Sequence, residues 1–131
     1  MPNMKGHPTL LFFWAHWCPD CKAEAPIVAD LLKTYGPAGL RIIGPTQRYG
    51  YGARGEESGP EAELKYMEKI RHVYLADLLS VPAPVSEANF QAYGASTVPT
   101  LVLIDRQGIV RLYHPGVMNL EQLRAALNRL G

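Results

Sequence analysis

Two hydrophobic periods alternate along the chain. Thr9–Trp14 is an unbroken apolar run of strand length, the pattern of a strand covered on both faces. From Cys18 the period lengthens: Ile27, Val28, Leu31, Leu32 and Tyr35 form a helical stripe that Gly36-Pro37 ends. Leu40–Gly44 is a second short strand. Strand, helix and strand with tight connections make a βαβ unit, so the two strands should be parallel. Leu101–Asp105 and Ile109–His114 read as a hairpin turned by Arg106-Gln107-Gly108. Asn119, with Gln122 three positions on, predicts a capped helix with Leu120, Leu123, Leu127 and Leu130 on one face.

Between these halves lies a segment of other character. Pro45–Pro60, with Gly50, Gly52, Gly55 and Gly59, reads as loop. Ser58 with Glu61 predicts a capping box for a helix carrying Tyr66, Met67, Ile70, Val73 and Tyr74 on its inner face. Val81-Pro82-Ala83-Pro84 should be extended, and Ser86–Tyr93 a short helix stopped by Gly94. With no repeat and no linker, residues 1–131 are expected to form one domain with an insert at about 45–85.

Composition narrows the function. The chain of 131 residues is 47% hydrophobic and 19% charged, as in a globular protein with a real core. A net charge of +1 with scattered Lys and Arg shows no nucleic-acid footprint. No apolar run approaches the about 18 residues that span a bilayer, so no membrane contact is expected from this chain. Thr9–Ala15 is too short for a signal-peptide core and lacks a cleavage site. A strand only eight residues in means that the fold needs no earlier element, or that Met1–Asn3 is the cut end of a longer secreted or anchored protein.

The chain has two cysteines, three positions apart, which is too close for a loop-closing staple. Cys18-Pro19-Asp20-Cys21 sits where the first strand gives way to the first helix. Unpaired N–H groups and the helix dipole favour negative charge there, so Cys18 should be the acidic, nucleophilic thiol and Cys21 the resolving one. Pro19 starts the helix without losing a hydrogen bond. Asp20 opposes the dipole and should keep Cys18 only moderately acidic.

Phe13-Trp14-Ala15-His16-Trp17-Cys18-Pro19-Asp20-Cys21 resembles the active-site segment of the thioredoxin superfamily, with Lys22 and Pro26 also at the family's places. Val98-Pro99-Thr100 resembles its cis-proline loop, and Asp105-Arg106-Gln107-Gly108 the hairpin of its TlpA/ResA-like extracytoplasmic branch. The likeness covers roughly residues 7–44 and 86–131. It implies an α/β thioredoxin fold, a central mixed sheet of about four strands flanked by helices, with the helical insert after the second strand. It further implies a thiol–disulfide oxidoreductase acting on protein disulfides or dithiols, fed by a redox donor, monomeric, without cofactor or metal, in the bacterial periplasm or another extracytoplasmic space. The pair Pro-Asp suggests a potential of roughly −200 to −270 mV and work in the reducing direction. Trp17, Pro19, Asp20, Val98 and Pro99 would then meet the substrate, with Val98-Pro99 abutting Cys18.

Two departures shape further expectations. Cytoplasmic thioredoxins carry a buried Asp where this chain has Phe12, so a proton acceptor for Cys21 must come from elsewhere. Glu24, one helical turn on, is the candidate, against the reading of an ordinary solvated glutamate. The insert is the second departure: Arg48, Tyr49 and Tyr51 either shape a partner-binding surface or belong to a mobile loop. Trp14 is expected in the core and Trp17 at the surface. His16 either tunes the thiolate or is solvated. Two other functions compete. Cys-Pro-Asp-Cys has some likeness to the Cys-Pro-Asp-x-Cys of Sco-type copper chaperones, although it is one residue short. A peroxiredoxin would carry threonine at the place of Ala15.

Overall fold

The computed structural model describes residues 1–130. Strand β1 (Thr9–Phe13) is wholly buried, as its unbroken apolar run requires. Helix α1 (Pro19–Tyr35) leads to β2 (Arg41–Ile43), parallel to β1 with Leu11 facing Ile43. The insert supplies α2 (Pro60–Tyr74), and α3 (Glu87–Tyr93) follows. Strand β3 (Thr100–Ile104) runs antiparallel to β1, placing Thr100 opposite Phe13. Strand β4 (Val110–Pro115) pairs with β3, and α4 (Leu120–Arg129) closes the chain. The sheet order is β2-β1-β3-β4, the four-stranded mixed sheet with flanking helices expected above.

Alternation along β1 divides the core between the two sheet faces. Leu10, Phe12 and Trp14 pack with Val28 and Leu31 of α1, Leu123 and Leu127 of α4, and Ile70 of α2. Leu11 and Phe13 face the other way, against Phe90 of α3, Val102 and Ile104. Each large side chain sealed in this way stabilises the fold by roughly 1.5–3 kcal/mol. Phe12, at the place of the thioredoxin aspartate, is one of these sealed side chains.

Helix ends follow local chemistry. Asn119 and Gln122 form the reciprocal cap of α4. Ser86 caps α3, and Gly94 ends it at φ 64°, a left-handed conformation that glycine adopts freely. The capping box expected from Ser58 does not form. Gly59 occupies the cap position in extended conformation, Pro60 starts the helix, and the Ser58 hydroxyl turns back to the Glu56 carbonyl. The inner face of α2 also differs. Met67 and Ile70 are buried, but Val73 and Tyr74 are exposed, and the third inward position belongs to Glu63.

The insert is tied down at both ends. The Gly44 and Thr46 N–H groups donate to the Pro82 and Pro84 carbonyls, and the Ser86 N–H donates to the Thr46 carbonyl. Pro82–Ser86 thus runs along the outer side of the chain leaving β2. Among the described residues no helix is long and apolar enough to cross a membrane.

Candidate functional site

Cys18 is the N-cap of α1, its backbone still extended, and Cys21 lies in the first turn. The two sulfurs are joined in a disulfide. The Cys21 N–H donates to Cys18 Sγ at 3.0 Å, so an orphan donor of the helix start already points at the leading sulfur. Both cysteines are almost wholly buried, while Trp17 is 43% exposed. Pro19 and Asp20 lie exposed in the first turn. The first-turn cation Lys22 is taken up by the Tyr74 ring, 4.2 Å from its centroid.

The sheet brings two other segments to the same edge. Where β1 ends, β2 also ends and β3 begins. The chain after β2 therefore leaves on one flank of Cys18, and Val98-Pro99 arrives on the other. The Val98–Pro99 bond is cis, with Pro99 buried and Val98 half-buried. On the β2 flank the Trp14 N–H donates to the Pro45 carbonyl, and the Thr46 hydroxyl donates to the Trp14 carbonyl at 2.8 Å. Trp14 is a core residue as expected, its indole N–H donating to Gly44 O at 2.9 Å.

Glu24 is buried, not solvated, and its Oε2 accepts the Met118 N–H at 2.9 Å. Burial pushes its carboxyl above the ordinary range. The Met118 hydrogen bond and the nearby His114 pull down more weakly, and Asp20 adds a small push upward. This raised carboxyl lies one helical turn from Cys21 on the same face of α1.

A further buried carboxylate, Glu63, was missed by sequence reasoning. Its Oε1 accepts Arg48 Nε at 3.0 Å, both oxygens accept the Gly50 N–H, and Oε2 accepts the Tyr49 N–H and His16 Nε2 at 3.1 Å. Burial alone would raise its carboxyl, but the Tyr49, His16, Gly50 and Arg48 hydrogen bonds outweigh burial and hold it below the usual value. An ionised carboxylate only accepts, so His16 carries its hydrogen on Nε2. His16 is fully buried, which corrects the solvated reading, and its Nδ1 has no partner among the described residues. Tyr49, Tyr51 and Tyr66 surround the ring edge-on, with centroids 5.8, 5.6 and 5.1 Å away. Tyr49 also meets Trp17 edge-on at 5.5 Å. The one signal available beforehand was spacing: Glu63 stands four and seven residues before Met67 and Ile70, on the buried stripe.

Among the described residues no three His, Cys, Asp or Glu side chains are grouped to hold a metal ion, and nothing in the site favours the copper alternative.

Fold and edge geometry together define a thioredoxin fold with a disulfide-bonded cysteine pair at a helix N-terminus. The family model described as a thioredoxin-like domain matches residues 3–131, and the chain belongs to that family. It is 30% identical over 125 residues to the thiol:disulfide interchange protein DsbE of Xylella fastidiosa (strain Temecula1), covering 95% of this chain and 55% of that protein. With DsbE of Escherichia coli K12 it shares 27% over 115 residues, 88% of this chain and 53% of the other. The chain thus spans about half the length of the curated relatives it matches. Among solved structures it is similar to the exposed lipoprotein thioredoxin Etrx1 of Streptococcus pneumoniae, with TM-score 0.72, 26% identity, and coverage of 96% and 87%. A secreted Mycobacterium tuberculosis disulfide oxidoreductase shares the fold, with TM-score 0.72, 21% identity, and coverage of 97% and 84%.

Proposed function

We propose that the chain is a thiol–disulfide oxidoreductase that works in the reducing direction on protein disulfides, with Cys18 as nucleophile. The observation that carries this reading is the Cys18–Cys21 disulfide, capping α1 at the edge where the cis Val98–Pro99 bond arrives. The names of the DsbE relatives support it.

In the reduced protein the Cys18 thiolate attacks one sulfur of the substrate disulfide. A Cys18–substrate bond forms, the substrate S–S bond breaks, and the other substrate sulfur leaves as thiolate. Trp17, Pro19 and Asp20 meet the substrate on one side and Val98-Pro99 on the other. Cys21 then passes its proton to Glu24 and attacks Cys18 Sγ, so that the Cys18–substrate bond breaks and the second substrate sulfur leaves as thiolate. The protein is left as the disulfide, and the substrate has gained two electrons. A donor dithiol restores the starting state. Asp20, beside the thiolate, and Lys22, engaged with Tyr74, leave the leading sulfur without an added cation. That combination favours a reductant over a strong oxidant. Residues 1–131 act as one domain, a reading supported by the insert packing into the same core as α1 and α4, and that domain acts as a monomer.

The test is the equilibrium potential of the Cys18–Cys21 pair against glutathione, followed by tryptophan fluorescence. The expected value is roughly −200 to −270 mV. One near −120 mV would overturn the reducing direction, and the lack of any couple would overturn the activity.

A further inference from the structure

We infer that Tyr49, locked by the buried Glu63, forms with Trp17 an aromatic wall beside Cys18 that selects substrates with an apolar or aromatic residue next to the reacting cysteine. This deepens the oxidoreductase reading and rests on it. The cis-proline loop occupies one flank of Cys18, and the other flank is filled by the segment leaving β2. That segment would be free to move if its glycines set its behaviour. Instead Arg48, Tyr49 and Gly50 all donate to one carboxylate on α2. His16, two residues before Cys18, donates to the same carboxylate. The active-site strand end, the loop and the insert helix therefore meet at Glu63. The tyrosine rings packed edge-on around His16 fix the loop's tilt.

The product of this latch is the contact between Tyr49 and Trp17. Trp17 is the most exposed large apolar side chain of the active-site segment, and Tyr49 stands at right angles to it, half-buried. Among the described residues neither ring has a charged partner, and the Tyr49 hydroxyl meets only the Gln47 amide. A surface of this kind rewards an apolar or aromatic side chain and offers nothing to a charged one. Tyr49 is thus a specificity residue, with Glu63 and His16 as positioning residues that act through it.

The experiment uses the reduced protein and two symmetric disulfides of the pentapeptide Gly-Xaa-Cys-Xaa-Gly, with phenylalanine or serine at Xaa. Their second-order reduction rates are compared by the loss of the dithiol signal. The wild-type protein should reduce the phenylalanine peptide about tenfold faster, the worth of one aromatic contact. Y49A and E63Q should level the two rates, Y49F should keep the preference, and the double variant Y49A/E63Q should lose no more than Y49A alone. A loop with a purely structural role would slow both peptides alike. Equal wild-type rates, or a preference retained in Y49A, would overturn the wall. Levelling in Y49A with full preference in a folded E63Q would overturn the latch. Should E63Q fail to fold, Y49A and Y49F decide. Reduction of neither peptide by the wild-type protein would overturn the oxidoreductase reading, and this one with it.

Discussion

Replacing Glu63 by alanine removes one acceptor from four donors, and their surroundings set the cost. Arg48 keeps 38% of its side chain in solvent and can turn to water. The Tyr49 and Gly50 N–H groups are part-buried and each gives up a hydrogen bond to a charge. Net, such bonds are worth about 1.5–3 kcal/mol, and partial access to water recovers part of this. His16 has no access to water, and with Nδ1 already unpartnered the ring would hold no hydrogen bond at all. An orphaned buried donor costs about 1–3 kcal/mol. The total is about 3–5 kcal/mol, the usual result of breaking a buried charged pair on one side. For a chain of this length that corresponds to a fall in Tm of roughly 10–20 °C. The assay is urea unfolding of wild type and E63A with a shared m-value, repeated across pH. Because the fold lowers the carboxyl below its ordinary value of 4.5, the stability it contributes is present above that value. It is lost as the pH falls through the folded one. The gap between wild type and E63A should therefore close in acid. A cost below about 1 kcal/mol at pH 7, or a gap unchanged at acidic pH, would refute the reasoning.

Two further variants probe the other buried groups at this edge. E24Q should slow the second thiol step by about a hundredfold or more, so that the mixed disulfide accumulates in rapid-quench experiments. The same variant should be more stable than wild type at neutral pH. A carboxyl raised by burial contributes stability below its unfolded value and loses it as the pH rises through the folded one. T46V leaves the Trp14 carbonyl without its hydroxyl donor and should cost about 1–2 kcal/mol in urea unfolding.

Elements whose signals are local were legible in the sequence. The apolar run of β1, the β3–β4 hairpin and the Asn119–Gln122 cap each need only a few neighbouring residues. The cysteine pair at a strand-to-helix junction was legible for the same reason. Misreadings arose where a distant partner decides. Ser58 and Glu61 satisfy the spacing of a capping box, but the Ser58 N–H is committed to the Gly50 carbonyl, and the extended Gly59 takes the cap. Apolar Val73 and Tyr74 suggested that α2 turns them inward. The helix is instead rotated to bury Glu63, a choice explained only by donors 13 to 47 residues away. His16 read as solvated because its partner lies on α2, and no spacing within the active-site segment announces it.

The hydrogen bonds at Gly44, Thr46 and Ser86 give the insert a shared entrance and exit, since both ends lie side by side just past β2. Closing a longer connection between those ends adds little entropy cost, about 0.6 kcal/mol for each doubling of its length, but α2 cannot be dropped from it, since Glu63 holds His16 and Ile70 packs in the core of β1, α1 and α4. The frame that carries the cysteines and the insert are thus joined twice, by backbone hydrogen bonds at the hinge and by a buried carboxylate at the strand end. Room for variation lies instead in the exposed turn Ala53–Glu57, where loops of other length or sequence would leave both the strands and the Glu63 contacts in place.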